Sequence, residues 1–222
     1  MAPRFVLHVV TDPLESRLPL PEALRRAASA GVDAIQVREK GRPADELLAH
    51  VLAAVGSGCP CVLVNDRVDV ALAAKAAGVH LPARSLPVAA ARRLLPRAAG
   101  WLVGRSVHGV QEAQQAARDG ADYVTFGHVF QTGSKPGLPP QGVTTLRQVV
   151  EAATVPVLAI GGVTPENVDT LLETGCAGVA VIRAVLAAED PGGAVAALRR
   201  AMAASRATPR HPFPSGREPA GV

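Results

Sequence analysis

The sequence predicts an α/β protein folded as a single (β/α)8 TIM barrel. Three observations predict it. Short apolar, β-prone runs alternate with longer helix-patterned segments eight times along most of the 222 residues. That length suits one barrel without a second domain. No Gly-x-Gly-x-x-Gly follows the first run, which disfavours the open doubly wound sheet as the alternative architecture.

Phe5–Val10 is the first strand, and Pro21 opens a helix that runs towards Gly31. Ala34–Arg38 is the second strand, followed by a helix through Asp45, Leu48 and Leu52 that ends near Gly56. Cys61–Val64 is the third strand, Val68–Ala77 a helix and Gly78–Leu81 a short fourth strand. A helix around Val88–Leu95 leads to Trp101–Ser106, the fifth strand, and Val110–Arg118 places Val110, Ala113 and Ala117 on one helical face. Ala121–Phe126 reads as a sixth strand buried on both faces. Val143–Ala153 is helical before Val157–Ile160, and Pro165 opens a helix ending at Gly175. Gly178–Val181 is the eighth strand and Gly193–Ala204 the closing helix. Residues 1–204 thus form the barrel domain, and the Pro-rich segment 205–222 is expected to be a disordered tail.

Composition narrows the function classes. A hydrophobic share of 48% with 19% charged residues describes a globular chain, and no apolar run reaches the roughly 20 residues of a spanning helix. With no signal-like start, the reading is a cytoplasmic protein without a membrane partner. The net charge of +4 is scattered and lacks aromatic interleaving, so nucleic acid is not expected as a partner and an anionic small molecule is. Cys59, Cys61 and Cys176 lack paired metal-ligand spacing and read as buried reduced thiols. The Ala- and Val-rich helical exterior would tolerate a homo-oligomer such as a dimer.

In this architecture reactive groups come from the carboxyl ends of several strands. Strand two ends in Gln36, Arg38 and Lys40, alternating positions that project together. Strand three ends in Asn65-Asp66-Arg67, strand four in His80, and strand five in Ser106 and His108. Strand six breaks at Gly127, presents His128 and continues into a loop with Thr132, Gly133, Ser134 and Lys135, which are small donors beside a cation. Gly161 and Gly162 after strand seven, with Val181, Ile182 and Arg183 after strand eight, match the phosphate site often found behind the last two strands. Asp66 is either a helix N-cap or a functional carboxylate, and His108 either a cap or a catalytic group. His8 and His50 read as structural or surface residues.

Gln36-Val-Arg-Glu-Lys40, Asn65-Asp-Arg67, Gly78-Val-His-Leu81, Ser106-Val-His108, Gly120-Ala-Asp-Tyr123 and Ile160-Gly-Gly162 resemble, in that order, the thiamine phosphate synthase/TenI superfamily. The resemblance implies a small-molecule thiazole phosphate as substrate and two main functional readings. Phe126-Gly-His-Val-Phe130 looks like the TenI-type thiazole tautomerase, which is the first expectation. His128 would be the general acid/base that aromatises a carboxythiazole phosphate, with neither cofactor nor metal required. Arg38, Lys40 or Lys135 would hold the substrate carboxylate, and Thr132 and Ser106 would make polar contacts. The alternative is a thiamine phosphate synthase joining a pyrimidine pyrophosphate to a thiazole phosphate. That activity implies a magnesium ion held by Asp66 and a second carboxylate, but His80-Leu-Pro-Ala-Arg-Ser85 puts Arg84 and Ser85 in the acidic places. A non-catalytic regulator binding a thiazole or thiamine phosphate is the third reading.

Overall fold

The structure, a computed structural model, describes residues 4–133 and 137–214. Eight parallel strands close into a barrel in sequence order: β1 (Val6–Val10), β2 (Ala34–Val37), β3 (Val62–Asn65), β4 (Gly78–Leu81), β5 (Leu102–Val107), β6 (Tyr123–Gly127), β7 (Val157–Ile160) and β8 (Gly178–Val181). Closure is direct, with Leu7 of β1 opposite Val179 of β8 and Val9 opposite Ile35 of β2. Helices α1 (Leu20–Ser29), α2 (Ala44–Val55), α3 (Val68–Ala73), α4 (Val88–Leu94), α5 (Val110–Arg118), α6 (Gly142–Ala152), α7 (Val168–Leu172), α8 (Arg183–Leu186) and α9 (Pro191–Ala204) complete the fold among the described residues. None is long and apolar enough to cross a membrane.

Strand alternation sorts the side chains into two cores. Leu7, Val9, Ile35, Val64, Val79 and Val124 join the layer between barrel and helices, while Ala34, Leu63, Tyr123 and Leu158 pack in a separate inner cluster. Both faces of each strand are therefore buried, which is why the strands read as near-continuous apolar runs. Gly104 makes room inside: a Cβ there would lie 2.2 Å from the Tyr123 ring. Tyr123, a bulky aromatic of the inner cluster, needs that glycine.

Two carboxylates tie the shell together. Asp122 accepts from the Val103 amide at 2.7 Å and pairs with Arg92 and Arg97. Asp33 accepts from the Leu7 amide at 2.6 Å and pairs with Arg199 of α9. Arg199 also donates to the carbonyls of Gly31 and Phe5, so the last helix is fastened to the start of the barrel. Cys59, Cys61 and Cys176 are free and buried, and burial pushes their thiols up to about 11, 12 and 11.

The structure departs from sequence expectation in three places. The helix expected over Val68–Ala77 stops at Ala73, followed by Lys75 with a left-handed φ of 50°. The helix expected from Pro165 starts at Val168, because Asn167 folds back to bond the Thr164 amide and the Gly162 carbonyl, both at 2.9 Å. Residues 205–214, expected as disordered tail, pack under the barrel instead. Pro209 is buried, the Arg210 amide donates to the Gly175 carbonyl at 2.9 Å, and the Phe213 ring meets His8 and Tyr123 at centroid distances of 4.9 and 5.0 Å. Phe213 stoppers the inner core from the amino-terminal ends of the strands. Residues 215–222 lie outside the described range.

Candidate active site

A cavity of about 670 Å³ opens at the carboxyl ends of the strands, the end where barrels of this class carry their chemistry. Its floor is set by inward-facing positions. In register, Gly104 lies opposite His80 and Ser106 opposite Thr125, so side chains from β4, β5 and β6 converge. His80 is fully buried at their centre. Its Nε2 lies 2.8 Å from Ser106 Oγ and 3.2 Å from Thr125 Oγ1, and its Nδ1 lies 3.1 Å from the Tyr123 hydroxyl. Burial, with added repulsion from His8 and Arg105, lowers the His80 imidazole to about 3, so it is neutral at ordinary pH. Burial holds the Tyr123 phenol well above its usual 10. A neutral imidazole donates through one ring nitrogen and accepts through the other, so Tyr123 on one side and Ser106 and Thr125 on the other hold the ring in place.

Strands β2 and β3 form the adjoining wall. Gln36 is buried and accepts from Asn65 Nδ2 at 2.9 Å. Arg38 lines the cavity with Nη1 3.2 Å from Asp12 Oδ2, and Lys40 stands exposed at the rim. Across the barrel, Gly161 and Gly162 line the mouth with φ of 102° and 67°. Their missing side chains have a structural reason as well. A Cβ on Gly161 would lie 2.3 Å from His128 Cβ, and one on Gly162 would lie 2.5 Å from the Gln131 carbonyl. The pair admits the β6 loop against β7.

His128 lines the cavity and is 5% exposed. Its Nε2 donates to the Leu138 carbonyl at 3.2 Å, and its buried Nδ1 has no partner among the described residues. Thr132, Val181 and Ile182 also line the cavity. Arg183 begins α8 at the rim, between Glu15 at 3.4 Å and the Gly133 backbone. The cation expected at Lys135 lies outside the described residues. The two open alternatives now have answers. Asp66 does not cap α3, whose N-cap is Arg67, and His108 combines an amide bonded to Glu112 at 2.8 Å with a ring lining the pocket.

Sequence reasoning did not single out Thr125, Gly127, Ile160 or Ala180 as pocket residues, although all line it. The period-two alternation through Tyr123, Thr125 and Gly127 was the available signal.

The metal implied for a synthase can be tested on the donor set. Asp66 takes a hydrogen bond from Ser85 Oγ and does not line the cavity. The neighbouring Arg84 does line it, and no carboxylate does. No group of three or more His, Cys, Asp or Glu is gathered to hold a metal among the described residues. Magnesium beside a substrate phosphate is commonly held by one or two carboxylates, and the cavity lining offers none, so the described residues do not fit it.

The profile of the family described as thiamine monophosphate synthase matches residues 7–185. The chain belongs to the thiamine phosphate synthase/TenI family. The Methanoculleus marisnigri thiamine-phosphate synthase is 43% identical over 93% of this chain and 99% of its own length. That of Chlorobium luteolum is 42% identical over 91% of this chain and 95% of its own. A solved thiamine phosphate pyrophosphorylase from Pyrococcus furiosus superposes with a TM-score of 0.80 at 36% identity, covering 90% of this chain and 96% of that one.

These relatives overturn the tautomerase expectation, and the isomerase class with it. That expectation leaned on Gly104-Arg-Ser-Val-His108, on Phe126-Gly-His-Val-Phe130 and on Arg84 and Ser85 standing where a metal-binding carboxylate is implied, whereas the similarity to synthases runs through nearly the whole barrel. In the structure the Nε2–H of His128 fixes the β6 loop at Leu138. Membership of this family makes the chain an enzyme of thiamine biosynthesis.

Proposed function

We propose that the chain is a thiamine phosphate synthase, a transferase joining a pyrimidine pyrophosphate to a thiazole phosphate. The observation that carries this reading is its 43% identity to a named synthase over 93% of the chain, with a cation-rimmed pocket at the carboxyl ends of the strands. The thiazole ring nitrogen supplies the lone pair for a new C–N bond to the pyrimidine methylene carbon. The C–O bond to pyrophosphate breaks, and its electron pair leaves with the pyrophosphate.

Each wall has a part in this reaction. Gln36, Asn65 and Ser106 offer donors and acceptors to a heteroaromatic ring, with Ser106 oriented by His80. Gly161, Gly162 and the turn Val181–Arg183 hold the thiazole phosphate with backbone amides, and Thr132 adds a hydroxyl from the β6 loop. A volume of about 670 Å³ has room for two small ligands together. His128 walls the thiazole side. C–N bond formation moves no proton, so the mechanism asks no acid or base of it.

The test is chromatographic detection of thiamine phosphate from the two substrates with purified protein, with and without added magnesium. Product formed in proportion to enzyme is expected, and His128→Ala should keep kcat/KM within about tenfold, below the range typical of a lost general acid or base. No thiamine phosphate under either condition would overturn the reading.

A further inference from the structure

The disagreement between donor set and implied metal has a positive side. The cavity rim carries Arg38, Lys40, Arg84 and Arg183, with no carboxylate among the residues lining it. Arg38 is shared with Asp12, and Arg183 faces Glu15. Arg84 and Lys40 have no ion-pair partner among the described residues. Together they add two positive charges to the rim, the charge of one divalent ion.

The loop holding Arg84 is fixed. Arg105 on β5 donates to the Ala83 and Leu86 carbonyls, both at 3.0 Å, on either side of Arg84 and Ser85. Ser85 then ties the loop to Asp66 after β3. Lys40 follows β2 and Arg84 follows β4, so the two cations flank Asn65 at the end of β3. In the closed strand order β3 is four strands from β7, where Gly161 and Gly162 line the mouth. The pocket therefore has two anion-binding sides facing each other.

We propose that Arg84, beside the cations Arg38 and Lys40 that follow β2, takes up the charge of the leaving pyrophosphate in place of a divalent metal ion. The inference rests on the transferase reading for the ligand's identity, and on the cationic rim for its mode of binding. Guanidinium suits this task because its planar donors meet phosphate oxygens in pairs and its charge does not depend on pH.

The test is calorimetric titration of the full chain with inorganic pyrophosphate, first in chelator and then in excess magnesium. Binding in chelator at least as tight as in magnesium is expected, since complexed pyrophosphate brings less charge to the cations. Arg84→Ala and Lys40→Ala should each weaken binding in chelator about tenfold to a hundredfold, the loss of one charge-assisted contact. Arg84 is exposed on a loop, so its replacement leaves the core intact. Binding that requires magnesium, or that is unchanged in both variants, would overturn the inference. Product formation separates the two claims. Metal-free binding without thiamine phosphate sinks the synthase reading alone, and magnesium-dependent binding with thiamine phosphate sinks this inference alone.

Discussion

Replacing His8 by leucine should flatten the acid sensitivity of the fold. His8 and His80 are both fully buried within the barrel, and burial lowers them to about 4 and about 3. Between those values and the ordinary 6.5, the unfolded chain binds protons that the folded chain refuses. Stability is therefore fully present above about pH 7 and is lost as pH falls through 6.5 towards the folded values. From about pH 7.5 to about pH 5 each histidine contributes a loss of about 2 kcal/mol, and the pair about 4. In His8→Leu the new side chain would pack against Tyr123 and Phe213 without a titrating group, so the variant should lose only about 2 kcal/mol over the same interval. Urea unfolding at the two pH values, on wild type and His8→Leu, measures both losses. Equal losses in the two proteins would refute the argument that burial depresses His8.

Three further substitutions probe other joints. Asp122→Ala removes the partner of Arg92, Arg97 and the Val103 amide, and should cost about 3–5 kcal/mol by denaturant unfolding; a loss under about 1 kcal/mol would show the pair to be solvated. Gly162→Ala forces a side chain into a left-handed φ of 67° with its Cβ 2.5 Å from the Gln131 carbonyl. It should cost at least about 1–3 kcal/mol and displace the β6 loop, and an unchanged Tm would contradict the close approach. Phe213→Ala should destabilise by about 1–3 kcal/mol while leaving KM in the proposed synthase reaction unaltered, because the ring sits at the opposite end of the barrel from the pocket. A KM shift on that variant would break the separation between barrel floor and mouth.

The barrel was readable because eight β-prone runs kept their rhythm, and the strand-end rule then placed Gln36, Arg38, Asn65, Ser106, His128 and Gly161 around one cavity. What escaped had physical reasons. Thr125 looked like part of an apolar strand, since an inward pocket residue and an outward core residue alternate there at the same burial. The bond from Tyr123 to His80 joins residues 43 apart, a distance that no local pattern encodes. Pro-rich composition suggested disorder after residue 204, but one backbone hydrogen bond from Arg210 and one ring from Phe213 fasten the segment to the barrel. Function was misjudged because Phe126-Gly-His-Val-Phe130 offered a self-sufficient proton chemistry, and because Arg84 and Ser85 stand where the resemblance implies a metal-binding carboxylate.

The course of residues 205–214 also governs how the protein can be handled. The chain leaves the ring of helices, crosses beneath the strands and ends its described path at Pro214, on the side away from the cavity. A reporter group attached at Pro214 itself would sit on the side away from the cavity. Protein anchored to a surface through that position would present its cavity to solution, so an immobilised layer should bind ligand at the stoichiometry of the free protein.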